Sequence, residues 1–229
     1  MNMEFRTLKA NEIDCRINTI NEKGLTLLLY KDARVDQNIL DETVGNTNWQ
    51  RKHTRDNANC IVSIWDGQKG QWIEKEDTGT ESFSEAEKGL ASDSFKRACF
   101  NWGIGRELYT SPFIWISKDQ AQIIEKGDKF TCYDKFKVES IEYNSNREIT
   151  KLSIINDRTG VVVFTYNAQD KEDAKETLKL IPTIKKLIKE KKVLPNEISE
   201  HFGKTSNEMT NDELMDVINW LEQKWWMKE

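Results

Sequence analysis

The sequence is poor in the residues that mark several common kinds of site. It contains two histidines, three prolines and four widely spaced cysteines, and no C-x-x-C pair. We therefore expect reduced thiols and no metal site. No apolar run approaches the ~20 residues that a membrane helix needs. The first residues lack the apolar core of a secretory signal. These absences favour a cytoplasmic protein without a membrane partner or a cofactor.

A global excess of positive charge is also missing. The 229 residues include 34 Lys and Arg against 39 Asp and Glu, which gives a formal net charge of -5. Any contact with nucleic acid must therefore come from a local basic patch. The length suits one domain with an appendage. The pattern changes near residue 168, so we expect a β-rich domain over 1–168 and a helical subdomain over 169–229.

Hydrophobic periodicity predicts an α+β fold. A long helix is expected to pack on an antiparallel three-stranded meander. The predicted helices of the first half are Leu8–Ile20, Val35–Val44 and residues 84–102, and the predicted strands are residues 25–30, Trp49–Arg55, Cys60–Trp65 and Gln71–Asp77. Residues 106–167 are expected to be β-rich, with a hairpin around residues 157–160. From Asp170 onward the pattern is helical, with two apolar stripes. One consists of Leu178, Ile181, Ile184, Leu187 and Ile188, and the other of Leu214, Val217, Ile218, Leu221 and Trp225.

The helix over residues 84–102 carries the most informative charges. Ser84 and Glu87 have the spacing of a capping box, and Gly103 is placed to end the helix. Lys88, Lys96 and Arg97 are candidates for holding a polyanion, because no nucleophile or phosphate loop lies beside them in the sequence. The alternative is ordinary i,i+4 pairing on a solvated face, Lys88 with Ser84 or Glu85 and Arg97 with Asp93.

Further cations lie at positions that a fold would fix. Arg34 stands where a strand turns into a helix, which suits a phosphate contact, although Asp32 or Asp36 could neutralise it. Arg51 and Lys52 lie on the first meander strand, where they could follow a DNA backbone or protect an edge strand. Arg106 could add to a cationic groove. Basic residues also cluster later in the chain, at Lys185, Lys186, Lys189, Lys191 and Lys192.

Two other groups of residues leave alternatives open. Glu74, Glu76 and Asp77 raise the possibility of a magnesium-dependent nuclease, but the Glu-x-Lys of restriction-type nucleases is missing from the strand that would need it. Aromatic residues are abundant, with eight tryptophans. Bases could stack on such rings, but core packing is expected for most of Trp49, Trp65, Trp72, Trp102 and Trp115. The tryptophans near the end of the sequence, Trp220, Trp225 and Trp226, could close the C-terminal subdomain or bind a partner protein.

Several segments in order resemble the phage Rad52-like single-strand annealing proteins. They are LLYKDARVDQNILDETVGNTNWQ, CIVSIWD, GQWIEKEDTGTES and EKGLASDSFKRACFNWGIGRELY, within residues 5–116. The stretch SDSFKRACFNWG is similar to a segment of Rad52 itself. Two departures are Glu85, where Rad52 has a lysine, and Phe100, where it has a helix arginine.

The resemblance implies a function and a set of site residues. Members bind single-stranded DNA in a cationic groove and anneal complementary strands without ATP or catalysis. They assemble into rings or helical filaments. The resemblance assigns Arg34, Lys88, Lys96 and Arg97 to the groove, with Arg51, Lys52, Lys75 and Arg106 as possible supplements. It places the protein in phage-type recombination in the cytoplasm of a bacterial host. A nuclease is one alternative. Another is a non-annealing adaptor that docks a single-strand binding protein or other replication protein through its C-terminal helices.

Overall fold

The computed structural model describes residues 3–80 and 86–223, without the side chains of residues 86–88 and 195. The chain forms two compact units, Met1–Tyr166 and Asn167–Glu229, and each has its own hydrophobic core. No helix within the described ranges is long and apolar enough to span a membrane. The predicted α+β class is confirmed, with a meander packed on a long helix, further hairpins and a helical C-terminal region.

The first unit contains eleven strands and two helices within the described residues. The strands are β1 Asp14–Asn21, β2 Gly24–Tyr30, β3 Trp49–Thr54, β4 Asn59–Asp66, β5 Gln71–Thr78, β6 Ile114–Ser117, β7 Ile123–Lys126, β8 Lys129–Cys132, β9 Phe136–Tyr143, β10 Ile149–Asn156 and β11 Val162–Asn167. The helices are α1 Ala33–Val44 and α2 Ala86–Trp102. Short 3₁₀ turns occupy Ala10–Glu12 and Arg106–Thr110.

The larger sheet has the strand order β11-β10-β9-β1-β2-β6. The prediction of a helix over Leu8–Ile20 is wrong, because residues 14–21 form strand β1 and pair antiparallel with β2. The register of this pair shifts between Ile17 and Thr19, which marks a bulge. A bulge inserts one residue into the alternation of a strand. The bulge spaces the inward positions Ile17 and Ile20 by three residues instead of two. Together with Ile13, four residues before Ile17, they imitate a helical stripe.

The smaller sheet is the predicted meander β3-β4-β5, paired antiparallel throughout. Helix α2 packs on one face of it through the buried side chains of Phe95, Ala98 and Cys99. Gly79 allows this approach, because a Cβ there would lie 2.5 Å from the Ser94 amide nitrogen of the helix. The predicted helix start at Ser84 lies outside the described residues.

The tryptophans divide between the core and the surface. Trp49 and Trp102 are half-buried against the core, as predicted. The prediction is wrong for Trp65, Trp72 and Trp115, which are exposed. Trp65 and Trp72 face each other across β4 and β5 with ring centroids 5.5 Å apart. They point away from α2, because they alternate with the residues that face it.

The second unit consists of α3 Ala168–Lys191, α4 Pro195–Phe202 and α5 Asn211–Gln223 within its described residues. The predicted stripe of α5 is confirmed over Leu214, Val217, Ile218 and Leu221, all buried. The predicted stripe of α3 is confirmed for Ile181, Ile184, Leu187 and Ile188, which pack in the core of this unit. It is wrong at Leu178, which is exposed, whereas Leu180 is buried. Thr210 and Glu213 form a capping box at the start of α5. Trp225 and Trp226 lie outside the described residues.

Candidate nucleic-acid interface

Helix α2 is held on the meander by polar contacts as well as by its apolar face. The Ser94 hydroxyl donates to the Asn57 carbonyl at 3.0 Å, and the Trp102 indole donates to the Val62 carbonyl at 3.0 Å. These bonds fix the rotation of the helix about its axis. Lys96 and Arg97 are therefore held at its partly exposed positions.

Arg97 forms an ion pair, whereas Lys96 forms none within the described residues. The Arg97 Nε lies 3.2 Å from an Asp93 carboxylate oxygen, and the arginine side chain keeps 42% of its surface exposed. Burial is the largest influence on Asp93 and opposes its ionisation, but hydrogen bonds from the Thr80 amide and Arg97 outweigh it and lower the pKa. Among the described residues, Lys96 has no hydrogen-bond or ion-pair partner. The pairing of Arg97 with Asp93 is the alternative that the sequence had left open.

Arg34 lies in the first turn of α1. Asp32 caps this helix by accepting a hydrogen bond from the Arg34 amide at 2.8 Å. The same carboxylate binds the Arg34 guanidinium at two points, Nε at 2.9 Å and Nη2 at 3.1 Å. The Arg34 side chain is 82% exposed, so the pair remains open to solvent and to a competing anion.

The two helices bring these three cations to one surface. Hydrogen bonds from Arg34 lower the pKa of Asp32, and the nearby charge of Lys96 lowers it further. Lys96 also contributes to the lowered pKa of Asp93, the partner of Arg97. The surface therefore alternates cations with carboxylates. We call Arg34, Lys96 and Arg97 the cationic triad.

A cavity of about 310 Å³ adjoins the triad. The end of β2, one side of α2 and the 3₁₀ turn after it form its walls. The lining side chains of most interest are Lys96, Arg97, Tyr30, Phe100 and Tyr109. The rings of Phe100 and Tyr109 meet edge to face with centroids 5.2 Å apart. Aromatic and cationic side chains therefore line the same cavity.

A buried ion pair lies beneath this surface. Lys31 and Asp36 bind each other with side chains that are 1% and 0% exposed, and the Lys31 ammonium lies 4.5 Å from the centre of the Phe100 ring. Burial raises the pKa of the Asp36 carboxyl to about 6. Gly105, with φ +77°, leaves room for the lysine, because a Cβ there would lie 2.3 Å from its Cε. The pair ties the end of β2 to α1, and thus fixes the segment that carries Arg34.

Two of the expected supplementary cations, Lys75 and Arg106, donate hydrogen bonds to the end of α2. Lys75 donates to the Asn101 carbonyl at 2.7 Å and lies over the Trp102 ring at 4.4 Å. Arg106 donates to the carbonyls of Phe100 at 2.5 Å and Asn101 at 2.9 Å. Both therefore satisfy carbonyls that a helix end leaves without partners, where the helix dipole favours positive charge.

Two of the remaining expected contacts, Arg51 and Lys52, lie on β3 of the meander. Arg51 faces α2, with its guanidinium 4.8 Å from the centre of the Phe95 ring. Lys52 is exposed on the other face of the meander. The side chain of Lys88 lies outside the described residues.

The carboxylates of the nuclease alternative do not converge. Glu74 accepts a hydrogen bond from Ser63, and Glu76 accepts one from Asn59, both on the outer face of the meander. Asp77 points to the opposite face, where Asn101 of α2 donates to it at 3.2 Å. Within residues 3–80 and 86–223, no three potential ligands are grouped to hold a metal ion.

Sequence reasoning missed the buried pair of Lys31 and Asp36 and the aromatic lining of the cavity. A signal for the pair was present, because Asp36 stands three and four residues before the core residues Ile39 and Leu40. A carboxylate on that apolar face requires a buried partner. Tyr30 and Tyr109 carried no comparable signal, since they meet only in the folded chain.

The comparison with known families matches this part of the chain. Residues 6–125 fit the family model described as Rad52/22 family double-strand break repair protein. The match spans just over half of the sequence. This chain belongs to the Rad52/22 family. The matched residues include the meander, α2, the cationic triad and the cavity beside it. No curated protein and no solved structure gave a significant match. Membership implies double-strand break repair and annealing of single-stranded DNA, together with DNA binding and oligomerisation.

Proposed function

We propose that this Rad52/22 family protein binds single-stranded DNA along the cationic triad and anneals complementary strands without ATP. The observation that carries the proposal is the triad itself. Arg34 and Arg97 come from two helices of the family region and remain accessible to solvent, and Lys96 lies near the carboxylates that hold them both. Contacts from such residues to phosphates are independent of base sequence.

Annealing then requires no catalytic residue. Fixed cations neutralise part of the phosphate charge, so a second strand can approach with less repulsion. Base pairing supplies the driving force for the duplex. We accordingly propose that the protein is not an enzyme.

The carboxylates beside the triad suit reversible binding. Asp32 and Asp93 hold the two guanidiniums in place before DNA arrives. Exposed ion pairs of this kind contribute at most about 1 kcal/mol, so a phosphate can replace the carboxylate at little cost. For the same reason the carboxylate can recapture the arginine when the annealed product leaves.

The proposal extends to the oligomeric assembly, the recombination process and a partner protein. We expect a ring or a helical filament in which the triads of neighbouring subunits form one groove. The segments that resemble phage annealing proteins suggest phage-type recombination in the cytoplasm of a bacterial host. The C-terminal helices are the proposed contact for a single-strand binding protein or another replication protein.

Mixing of two complementary labelled oligonucleotides tests the function. The protein should accelerate annealing in the presence of EDTA and without nucleotide, and Lys96→Met should remove most of the acceleration. Lys151→Met is the matched control, because Lys151 is an exposed lysine on β10, paired with Glu142 three strands from β2. Annealing at the protein-free rate, or cleavage of either strand when magnesium is added, contradicts the proposal.

A further inference from the structure

We propose that the cavity beside the cationic triad takes up one nucleotide unit of the bound strand, with its base against Tyr109 and a neighbouring phosphate on Lys96 and Arg97. This inference rests on the proposed function and adds a base contact to it. The protein would then grip DNA by its bases as well as by its backbone, at one point in each subunit.

The size and walls of the cavity fit a nucleotide. A volume of about 310 Å³ lies at the lower end of the range for small-molecule pockets. The aromatic wall consists of Phe100, Tyr109 and Tyr30, and leucines of β2 and of the 3₁₀ turn complete the apolar surface. Flat apolar walls of this kind suit the face of a base, which stacks on aromatic rings whatever its identity.

Tyr109 is the residue best placed to provide the stacking surface. Its side chain is 73% exposed, an unusual degree for a large aromatic residue. Its ring is nevertheless oriented, because the edge-to-face contact with Phe100 holds it at the rim of the cavity. Phe100 in turn lies over the buried Lys31. The platform is therefore supported from below before any ligand binds.

Helix α2 supplies the charge that a nucleotide requires, one turn before Phe100. Lys96 lacks a partner among the described residues, and Arg97 can exchange Asp93 for a phosphate. The hydroxyl groups of Tyr30 and Tyr109 make no hydrogen bond within the described residues, so both are available to polar edges of a base. Neither a purely apolar ligand nor a bare anion would use both the aromatic rings and the cations.

Oligonucleotides that lack bases separate this inference from backbone binding. Fluorescence anisotropy would compare an oligothymidylate with an oligomer of the same length made of abasic deoxyribose phosphates. We expect the wild-type protein to bind the thymidylate about 5- to 150-fold more tightly, the range for stacking one base on an aromatic side chain. Tyr109→Ala should remove most of this preference and leave abasic binding unchanged, whereas Tyr109→Phe should retain it.

Controls make each outcome decisive. Tyr133→Ala replaces another exposed tyrosine of the same unit, one that lies outside the cavity, and should behave as wild type. Equal binding of the two oligomers by the wild type overturns the inference, as does equal loss on both by Tyr109→Ala. Saturable binding of free thymidine monophosphate as tight as the oligomer overturns it too, because the site would then serve a free nucleotide. If annealing persists in any of these cases, the proposed function stands and the base contact alone fails.

Discussion

The buried pair of Lys31 and Asp36 makes a sharp prediction about stability. Replacing Lys31 by methionine keeps the length of the side chain and leaves the Asp36 carboxylate buried without its ammonium. Because both side chains are almost completely buried, we expect a loss of about 3–5 kcal/mol near pH 8. Replacing both residues, by Lys31→Met with Asp36→Leu, should restore most of the loss, since an apolar pair needs no compensation.

The loss should depend on pH in a defined direction. Burial already raises the pKa of Asp36 to about 6, above its usual value of 3.8. A carboxyl whose pKa is raised by folding contributes stability at low pH and loses it as the pH rises through the folded-state pKa. Without Lys31 the pKa of Asp36 rises further. The free energy of unfolding of the variant therefore continues to fall above pH 6, by about 1.4 kcal/mol per pH unit. The single variant should therefore approach wild type near pH 5 and fall behind it between about pH 6 and 8.

Urea unfolding followed by tryptophan fluorescence measures both effects. The control is Lys151→Met, which removes an exposed ion pair with Glu142 and should cost less than about 1 kcal/mol at any pH in this range. A Lys31→Met variant within about 1 kcal/mol of wild type near pH 8 would refute the reasoning. A loss of unfolding free energy that is the same near pH 5 and near pH 8 would also refute it.

Three further substitutions test the parts of the interface. Asp32→Asn keeps a good helix cap but frees the Arg34 guanidinium, so affinity for single-stranded DNA in an anisotropy titration should rise about two- to fivefold; a fall would contradict the competing role of Asp32. Lys75→Met should lower stability to urea by about 1–2 kcal/mol and leave DNA affinity unchanged, because the lysine serves the end of α2; weaker DNA binding with unchanged stability would reverse that assignment. Gly79→Ala should lower the melting temperature and slow annealing by forcing α2 off the meander, whereas Gly67→Ala, where the nearest atom to an added Cβ is 3.9 Å away, should do neither.

Much of the fold follows from local patterns in the sequence. The three meander strands, α1 and α2 are found as predicted, since alternation, turn residues and glycine stops all agree there. The first strand was mistaken for a helix because a bulge between Ile17 and Thr19 changed its period. The exposed Trp65 and Trp72 show a second limit, because alternation identifies two faces but does not say which of them meets the core.

The site was predictable only in part, for a similar reason. Arg34, Lys96 and Arg97 are held by their own helices, so their accessibility follows from local structure. Lys75 and Arg106 instead donate hydrogen bonds to the Asn101 carbonyl at the end of α2. These contacts form only in the folded chain, so no local pattern reveals them. The same holds for the cavity, whose walls come from three separate segments of the chain.

The salt dependence of binding to single-stranded DNA tests the central proposal most directly. Each phosphate contact contributes about -0.7 to the slope of log affinity against log salt concentration. Replacing Arg34, Lys96 and Arg97 together by methionine should therefore make the slope shallower by about 2 for each bound subunit and weaken binding at low salt. An unchanged slope and affinity in this triple variant would show that DNA lies elsewhere on the protein.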